Sequence, residues 1–138
     1  MSVKTLTIDG KAVSAAEGDS VLEAAREAGI EIPTLCHLDG LTDIGACRMC
    51  LVEVTGSNKP LPACSTRVAE GMEVRTNTEQ LRKYRRMVVE LLFAERNHIC
   101  AACVANGHCE LQDVGIAVGM DHVRYDYLYP NPKVDVTH

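Results

Sequence analysis

Seven cysteines, and above all the spacing between them, restrict what this 138-residue chain can fold into. The first four follow the pattern C-x10-C-x2-C-x13-C, and the last three follow C-x2-C-x5-C. In chain order they are Cys36, Cys47, Cys50, Cys64, Cys100, Cys103 and Cys109. A C-x2-C pair brings two thiolates to the same tight turn, where both can bind one metal centre. Because each set contains such a pair, the spacing predicts two metal centres.

The N-terminal segment and the net charge indicate the cellular location of the protein and the partners it can bind. The segment MSVKTLTIDG lacks the apolar core of a signal peptide, and no stretch has the length of a membrane span. We therefore expect a cytoplasmic protein without direct membrane insertion, in which thiols stay reduced and favour metal over disulfides. The net charge of -5 argues against nucleic acid, which rewards a basic surface.

The first cysteine set is typical of either an iron–sulfur site or a structural zinc site with four thiolate ligands. Structural zinc sites favour two closely spaced pairs, whereas only Cys47 and Cys50 are close here. Three cysteines in one long loop and a fourth after a strand are similar to the arrangement in plant-type ferredoxins, with the first interval lengthened. We predict a [2Fe–2S] cluster and keep zinc as the alternative.

Small and apolar residues accompany the close pair of the first set. Gly45 and Ala46 are small enough for backbone N–H groups to approach cluster sulfides and stabilise their negative charge. Ile44, Met49 and Leu51 are expected to limit the access of water, another determinant of the reduction potential.

The second cysteine set leaves a [4Fe–4S] cluster one donor short of its four iron corners. A neutral imidazole can bind iron, and two histidines are near: His98 precedes Cys100 by two residues, and His108 adjoins Cys109. Neighbouring side chains rarely converge on separate irons of one cluster. We therefore favour His98 as the fourth ligand and keep His108 as the alternative.

Other polar residues are given less specific interpretations. The basic group Arg82, Lys83, Arg85 and Arg86 is interpreted as a solvated helix face, with a docking patch for an acidic partner as the alternative. His37, beside the first cysteine, is interpreted as a surface histidine, with a place close to the first cluster as the alternative.

Strand and helix signals change in character near Thr76. Before it, short alternating runs predict strands at residues 5–8, 11–15, 51–54, 61–64 and 72–75. A capping box at Ser20 and Glu23 predicts one helix among them, and a second box at Thr76 and Glu79 opens a longer amphipathic helix. A short helix is predicted at residues 110–118. We predict an α+β fold with two domains, residues 1–76 and 77–138, the second ending in an extended tail.

The two cysteine sets, their order and the CELQD segment at residues 109–113 carry a specific resemblance to a known family. The chain resembles the N-terminal portion of the iron–sulfur subunit shared by respiratory complex I, NAD-dependent formate dehydrogenases and NAD-linked hydrogenases. Within that family it is most similar to the small diaphorase subunit of bidirectional NAD-reducing hydrogenases, judged from ERNHICAACVANGHCELQ and the run toward PNPKVDVTH. The resemblance covers nearly the whole chain.

The resemblance implies a β-grasp ferredoxin domain with a [2Fe–2S] cluster, followed by a small helical domain with a [4Fe–4S] cluster. The implied ligands are Cys36, Cys47, Cys50 and Cys64 for the first cluster, and His98, Cys100, Cys103 and Cys109 for the second. The complex I pattern H-x3-C would place its histidine at Arg96, which cannot bind iron, whereas the hydrogenase branch uses the shorter H-x-C that His98 fits. Family members usually continue into a domain with two further [4Fe–4S] clusters, so we expect this chain to be the N-terminal portion of a longer subunit.

No nucleophile, general-base pair or phosphate-binding glycine loop is evident in the sequence, so we expect no catalytic site of its own. The resemblance implies a subunit that relays single electrons between a flavin- and NAD(H)-binding diaphorase subunit and hydrogenase subunits of one complex. The alternatives are the corresponding part of a complex I or formate dehydrogenase subunit, a free soluble ferredoxin, and a zinc-organised interaction module.

Overall fold

The structure is a computed structural model that describes residues 2–95 and 98–127. The predicted C-terminal tail from residue 128 onward and Arg96 lie outside the described residues. By its internal contacts the chain divides into two compact units, Met1–Arg85 and Arg86–His138. The division falls inside one long helix, on the C-terminal side of Thr76.

A five-stranded mixed sheet forms the framework of the first unit, with strand order β2-β1-β5-β3-β4. Its strands are β1 (Val3–Ile8), β2 (Lys11–Ala16), β3 (Leu51–Val54), β4 (Leu61–Pro62) and β5 (Glu73–Arg75). β1 runs parallel to β5, and the other paired strands are antiparallel. Together with the helices described below, this sheet confirms the predicted α+β class.

Two local sequence signals set the start of the first unit. β1 and β2 are joined by Asp9 and Gly10, whose φ angles of 49° and 81° are both positive, as a tight I′ hairpin turn requires. Helix α1 (Val21–Glu27) begins with the predicted capping box. The Glu23 N–H donates to Ser20 Oγ (3.2 Å), and the Ser20 N–H donates to Glu23 Oε2 (2.6 Å). These reciprocal bonds satisfy two donors that the helix itself leaves unpaired.

One hydrophobic core joins α1 to the sheet. Its aliphatic members include Leu6, Ile8, Val13, Val21, Leu22, Ala24, Ala25, Ile32, Val52 and Val74. They recur at every second residue along the strands and on one side of α1, as the strand and helix periods require. Cys50 and Cys64 belong to the same core. The packing that holds the sheet together therefore also fixes two cysteines of the first set.

Helix α2 (Glu79–Glu95) begins with a different cap from the one predicted. The Leu81 N–H donates to Thr78 Oγ1 (3.2 Å), so Thr78 provides the capping oxygen. The backbone N–H and the hydroxyl of Thr76 instead donate to the two carboxylate oxygens of Asp9. The predicted cap at Thr76 was wrong because a carboxylate 67 residues away in sequence engages its hydroxyl.

The described part of the second unit is helical. It contains the C-terminal part of α2, a short 3₁₀ helix at Cys100–Ala102, and α3 (Glu110–Ala117), which confirms the predicted short helix. Gly115 of α3 is buried, and a methyl group in place of its hydrogen would lie 3.8 Å from Val89 and Phe93 of α2. Among the described helices, none has both the length and the apolar character needed to cross a membrane.

Candidate metal centres

The first four cysteines lie at different depths around one end of the sheet. Cys36 is exposed and Cys47 half-buried in the long loop between α1 and β3, whereas Cys50 and Cys64 are buried. Cys50 directly precedes β3, and Cys64 follows β4. Because β3 and β4 are paired, with the Ala63 N–H donating to the Cys50 carbonyl at 2.9 Å, the sheet itself brings these two cysteines together.

The thiols of the first set shift one another's pKa in pairs. Cys36 contributes to lowering the pKa of Cys47, and Cys50, with a smaller contribution from Cys36, contributes to raising that of Cys64. Burial, reinforced by the adjacent Cys50 sulfur, raises the pKa of the Cys64 thiol to about 12. The structure therefore brings Cys50 and Cys64 together next to the paired strands β3 and β4 and places Cys36 near Cys47.

Backbone N–H groups support negative charge on Cys47. Burial opposes ionisation of this thiol, but hydrogen bonds from the Met49 N–H and from Cys36 and Leu35 outweigh it, so the pKa of Cys47 is lowered. The Met49 nitrogen lies 3.4 Å from Cys47 Sγ. Hydrogen bonds of this kind stabilise cluster thiolates and are among the determinants of their potential.

Gly45 allows the loop to approach the segment that carries Cys64. Its φ of 60° is left-handed, and a Cβ at this position would lie 3.0 Å from Ser65 Oγ and 3.5 Å from Pro62 Cγ. A side chain here would meet both a strained backbone and an occupied space. The absence of a side chain at Gly45 therefore allows the loop to pack against Pro62 and Ser65, on either side of the segment that carries Cys64.

The apolar shielding predicted for the first set is only partly present. Met49 is buried and Leu51 half-buried, but Ile44 is 70% exposed and gives no shielding. The prediction for Ile44 was wrong because the left-handed turn at Gly45 separates the two ends of the loop: the side chain before the turn remains in solvent, while the Cys50 end enters the core.

His37 belongs to a hydrogen-bond network instead of the open surface. Its side chain is 9% exposed, with Nδ1 lying 2.5 Å from Asp43 Oδ1 and Nε2 lying 2.9 Å from Asp39 Oδ1. Nε2 also lies 2.9 Å from a terminal nitrogen of Arg26, which is part of α1. The hydrogen bond to Asp43 outweighs the effect of burial, so the pKa of His37 is raised above its ordinary value. The interpretation of His37 as a surface residue was wrong, because its partners converge only when the loop folds back on α1.

Arg85, one of the four residues interpreted as a basic helix face, is buried in the structure. It is 5% exposed, and its guanidinium donates to the backbone carbonyls of Met49, Leu51 and Thr76 at 3.3, 2.9 and 2.7 Å. Arg82 and Lys83 are exposed as predicted. The prediction was wrong for Arg85 because a long side chain can reach carbonyls that a helical pattern does not reveal.

The three cysteines of the second set line one cavity. Its volume is about 270 Å³, far above the roughly 10–15 Å³ that a single water requires on the same measure. Cys100, Cys103 and Cys109 are accompanied in its lining by His98, whereas His108 is exposed and absent from the lining described. The structure thus brings His98 together with the three thiols and leaves His108 outside.

The orientation of His98 leaves one ring nitrogen available. Its Nε2 lies 3.1 Å from the Leu92 carbonyl oxygen, and its ring centroid lies 4.9 Å from that of Phe93. Since a carbonyl oxygen only accepts, Nε2 carries the proton and Nδ1 keeps its lone pair. Metal-binding histidines are typically oriented by such a bond to a backbone carbonyl.

Gln112 closes the loop that separates Cys103 from Cys109. Its Nε2 donates to Asn106 Oδ1 (2.9 Å), and its Oε1 accepts from the Gly107 N–H (3.1 Å). Gln112 lies within the CELQD segment, and the sequence alone assigns this residue no structural role. Its position in the first turn of α3 was the available signal, because an amide there can bond back to the preceding loop.

Both donor sets fit iron–sulfur clusters chemically. A binuclear cluster takes two thiolates at each iron, which matches two linked pairs, and a cubane takes one donor at each of four corners. Among residues 2–95 and 98–127, no three His, Cys, Asp or Glu side chains meet as a site for a single metal ion. The thiolate-rich, N–H-supported loop and the thiol-lined cavity are suited to inorganic clusters.

The chain belongs to the 2Fe-2S iron-sulfur cluster binding domain family, which it matches over residues 3–79, more than half its length. Residues 85–124 match the NADH-ubiquinone oxidoreductase-G iron-sulfur binding region. These matches confirm the predicted [2Fe–2S] and [4Fe–4S] cofactors and the ferredoxin-like class of the first unit. The chain is therefore an iron–sulfur protein with two cluster-binding regions.

Curated relatives and a solved structure confirm the resemblance to subunits of NAD-linked oxidoreductases. The chain is 42% identical over 98% of its length to the gamma subunit of the NAD-reducing hydrogenase HoxS of Cupriavidus necator, of which it covers 56%. It is 39% identical over 86% of its length to the NADH-ubiquinone oxidoreductase 75 kDa subunit of Reclinomonas americana, of which it covers 17%. A crystal structure of NAD+-reducing [NiFe]-hydrogenase in the H2-reduced state matches 98% of the chain with a TM-score of 0.88 and 37% identity, and 57% of that structure is covered. The chain thus spans little more than half of these hydrogenase relatives.

Proposed function

We propose that this chain is the electron-relay portion of an NAD-linked hydrogenase, passing single electrons between a flavin- and NAD(H)-binding diaphorase subunit and hydrogenase subunits of the same complex. The observation that carries the proposal is that each compact unit holds one of the two sets of proposed cluster ligands. When bound, the clusters supply the one-electron chemistry. The residues of the chain hold the clusters, limit water and set their potentials.

Cys36, Cys47, Cys50 and Cys64 are the proposed ligands of the [2Fe–2S] cluster. The pairing of β3 with β4, which brings Cys50 and Cys64 together, supports this assignment, and so do the proximity of Cys36 to Cys47 and the Met49 N–H directed at Cys47. The depth of Cys50 and Cys64 limits water on one side, whereas the exposure of Cys36 opens the other side toward a partner. One protected and one open side suit electron exchange with a docked protein.

His98, Cys100, Cys103 and Cys109 are the proposed ligands of the [4Fe–4S] cluster. Their common cavity supports the assignment, as does the lone pair left on His98 Nδ1 by the bond to Leu92. A neutral imidazole in place of a thiolate makes the site less anionic. The potential of this cluster is therefore expected to lie above that of a four-cysteine equivalent.

The cysteines also support a cytoplasmic location for the protein. All seven are proposed cluster ligands, and none of them is disulfide-bonded. Closely spaced thiols are kept reduced for metal binding in the cytoplasm, where disulfides are rare.

NADH reduction of the purified complex tests the proposed relay. The chain would be tagged in its native host and isolated without oxygen, and its clusters would be followed by low-temperature EPR. We expect a flavoprotein to co-purify in a stable complex, and NADH to reduce the clusters only while that flavoprotein is present. If the chain purified alone and exchanged electrons equally with unrelated flavoproteins, it would be a free ferredoxin.

A further inference from the structure

We propose that Arg85 is a positioning residue for the [2Fe–2S] cluster, raising its reduction potential by holding a buried positive charge against the strand end that carries Cys50. This inference rests on the ligand set proposed above. It concerns a residue outside both cysteine sets that local sequence patterns had placed on a solvated face.

The first support is the geometry of the guanidinium. Its Nε donates to the carbonyl of Met49, and one terminal nitrogen donates to those of Leu51 and Thr76. Met49 and Leu51 are the residues immediately before and after Cys50. The arginine therefore hydrogen-bonds the backbone on both sides of a proposed ligand. Its third bond connects this segment to Thr76, directly after β5.

The second support is the charge of this side chain. Among the described residues, all the hydrogen-bond partners of Arg85 are backbone carbonyls, and no carboxylate forms an ion pair with it. Burial lowers the pKa of Arg85, and the charges on Cys50 and Asp9 oppose this shift. An arginine remains protonated in proteins, so a cation whose hydrogen bonds all go to backbone carbonyls stays in the core. Buried charges normally have partners of opposite sign, and an anionic cluster at Cys50 would add a second partner to the more distant Asp9.

The consequence for the redox step follows from charge. Reduction adds one electron from a one-electron donor, with no bond formed or broken and no proton required, so the thiolate-bound site becomes more negative by one charge. A nearby guanidinium interacts more favourably with the reduced state than with the oxidised state. Arg85 thus raises the fraction of reduced cluster at any given solution potential.

EPR-monitored redox titration of the oxygen-protected full chain tests this role. Arg85→Gln keeps a hydrogen-bond donor and removes the charge, whereas Arg85→Lys keeps the charge and loses the bidentate hydrogen bonds. We expect Arg85→Gln to lower the ratio of reduced to oxidised [2Fe–2S] cluster at least about tenfold at fixed potential, a midpoint shift of about 59 mV for one electron. Arg85→Lys should stay within about threefold of wild type.

Arg82→Gln is the matched control, because it removes one exposed positive charge from the same helix. Among the residues that the structure describes, the Arg82 side chain donates only to Asn77, and its loss should leave the ratio within about threefold of wild type. Loss of thermal stability in both Arg85 variants with no change in potential would show a purely structural role and overturn the proposal. If Arg85→Gln fails to load the cluster, Arg85→Lys decides: a wild-type ratio supports the proposal, and a tenfold fall overturns it.

Failure of the proposed ligand set would be distinguishable from failure of this inference. Wild-type chain without a [2Fe–2S] EPR signal would refute the ligand set itself. A normal wild-type signal with unshifted Arg85 variants would refute only the role of Arg85.

Discussion

Nε of Arg124 lies 2.8 Å from Oε2 of Glu90, so the segment after α3 is tied to a carboxylate on α2 that is 0% exposed. Arg86 donates to the other oxygen of the same carboxylate, also at 2.8 Å. Burial opposes ionisation of Glu90, but the two guanidinium groups outweigh it and lower the pKa of the carboxyl. Within the second unit, a buried carboxylate therefore ties α2 to the segment after α3 through two guanidinium groups.

The lowered pKa of Glu90 predicts an acid-sensitive second unit. Because the pKa is lower in the folded chain than its unfolded value of about 4.3, the ionised carboxylate contributes stability at higher pH. That contribution is lost as the pH falls below about 5 and through the folded pKa. We expect Glu90→Gln to cost about 1–3 kcal/mol at pH 7 and to flatten this part of the pH dependence. Urea unfolding of wild type and variant at several pH values measures the difference.

Glu79→Gln provides the control for Glu90. Glu79 forms an exposed i,i+4 pair with Lys83 on the same helix, so its loss should scarcely change the unfolding curve. Comparing each variant with wild type at the same pH cancels the effect of acid on the clusters. Parallel pH profiles for wild type and Glu90→Gln would contradict the role given to this carboxylate.

Gly45→Ala is expected to reduce loading of the [2Fe–2S] cluster. The new methyl group would lie 3.0 Å from Ser65 Oγ, and the left-handed backbone costs about 1–2 kcal/mol for a residue with a side chain. Gly56→Ala separates the two effects, because Gly56 is also left-handed but has open space around it. We expect Gly56→Ala to lower stability alone, and Gly45→Ala to lower both stability and the iron content per chain. Equal iron content in the two variants would show that the approach to Ser65 has no bearing on the cluster.

His98 and His108 are expected to respond differently to replacement. His98→Ala should abolish or strongly alter the [4Fe–4S] EPR signal, whereas His108→Ala should leave it unchanged, because only His98 lines the cavity. His98→Cys should keep the cluster and lower its potential, since a fourth thiolate adds negative charge. Loss of the signal in His108→Ala with retention in His98→Ala would reverse the assignment.

Features set by neighbouring residues could be predicted from the sequence. The Ser20–Glu23 capping box formed as predicted, and the strands predicted at residues 5–8 and 11–15 are joined by the tight Asp9–Gly10 turn, because every atom that these features need lies within a few residues. β3 occupies the predicted residues for the same reason, since its alternation and flanking turn are local. The spacing of the cysteines also groups Cys100, Cys103 and Cys109, which line one cavity in the structure.

Features set by distant partners could not be predicted. Thr76 bonds to Asp9 across 67 residues, Arg85 reaches Met49 across 36, and His37 contacts Arg26 across 11. Each of these side chains was given a local role, as a cap, a solvated cation or a surface histidine. Their actual partners are defined only once the sheet and the long loop are in place.

Iron and acid-labile sulfide analysis of oxygen-protected protein, combined with low-temperature EPR, tests cluster binding most directly. One [2Fe–2S] and one [4Fe–4S] cluster predict about six irons and about six sulfides per chain, with two distinguishable signals after reduction. Colourless protein that contains zinc and no sulfide would contradict the presence of both clusters.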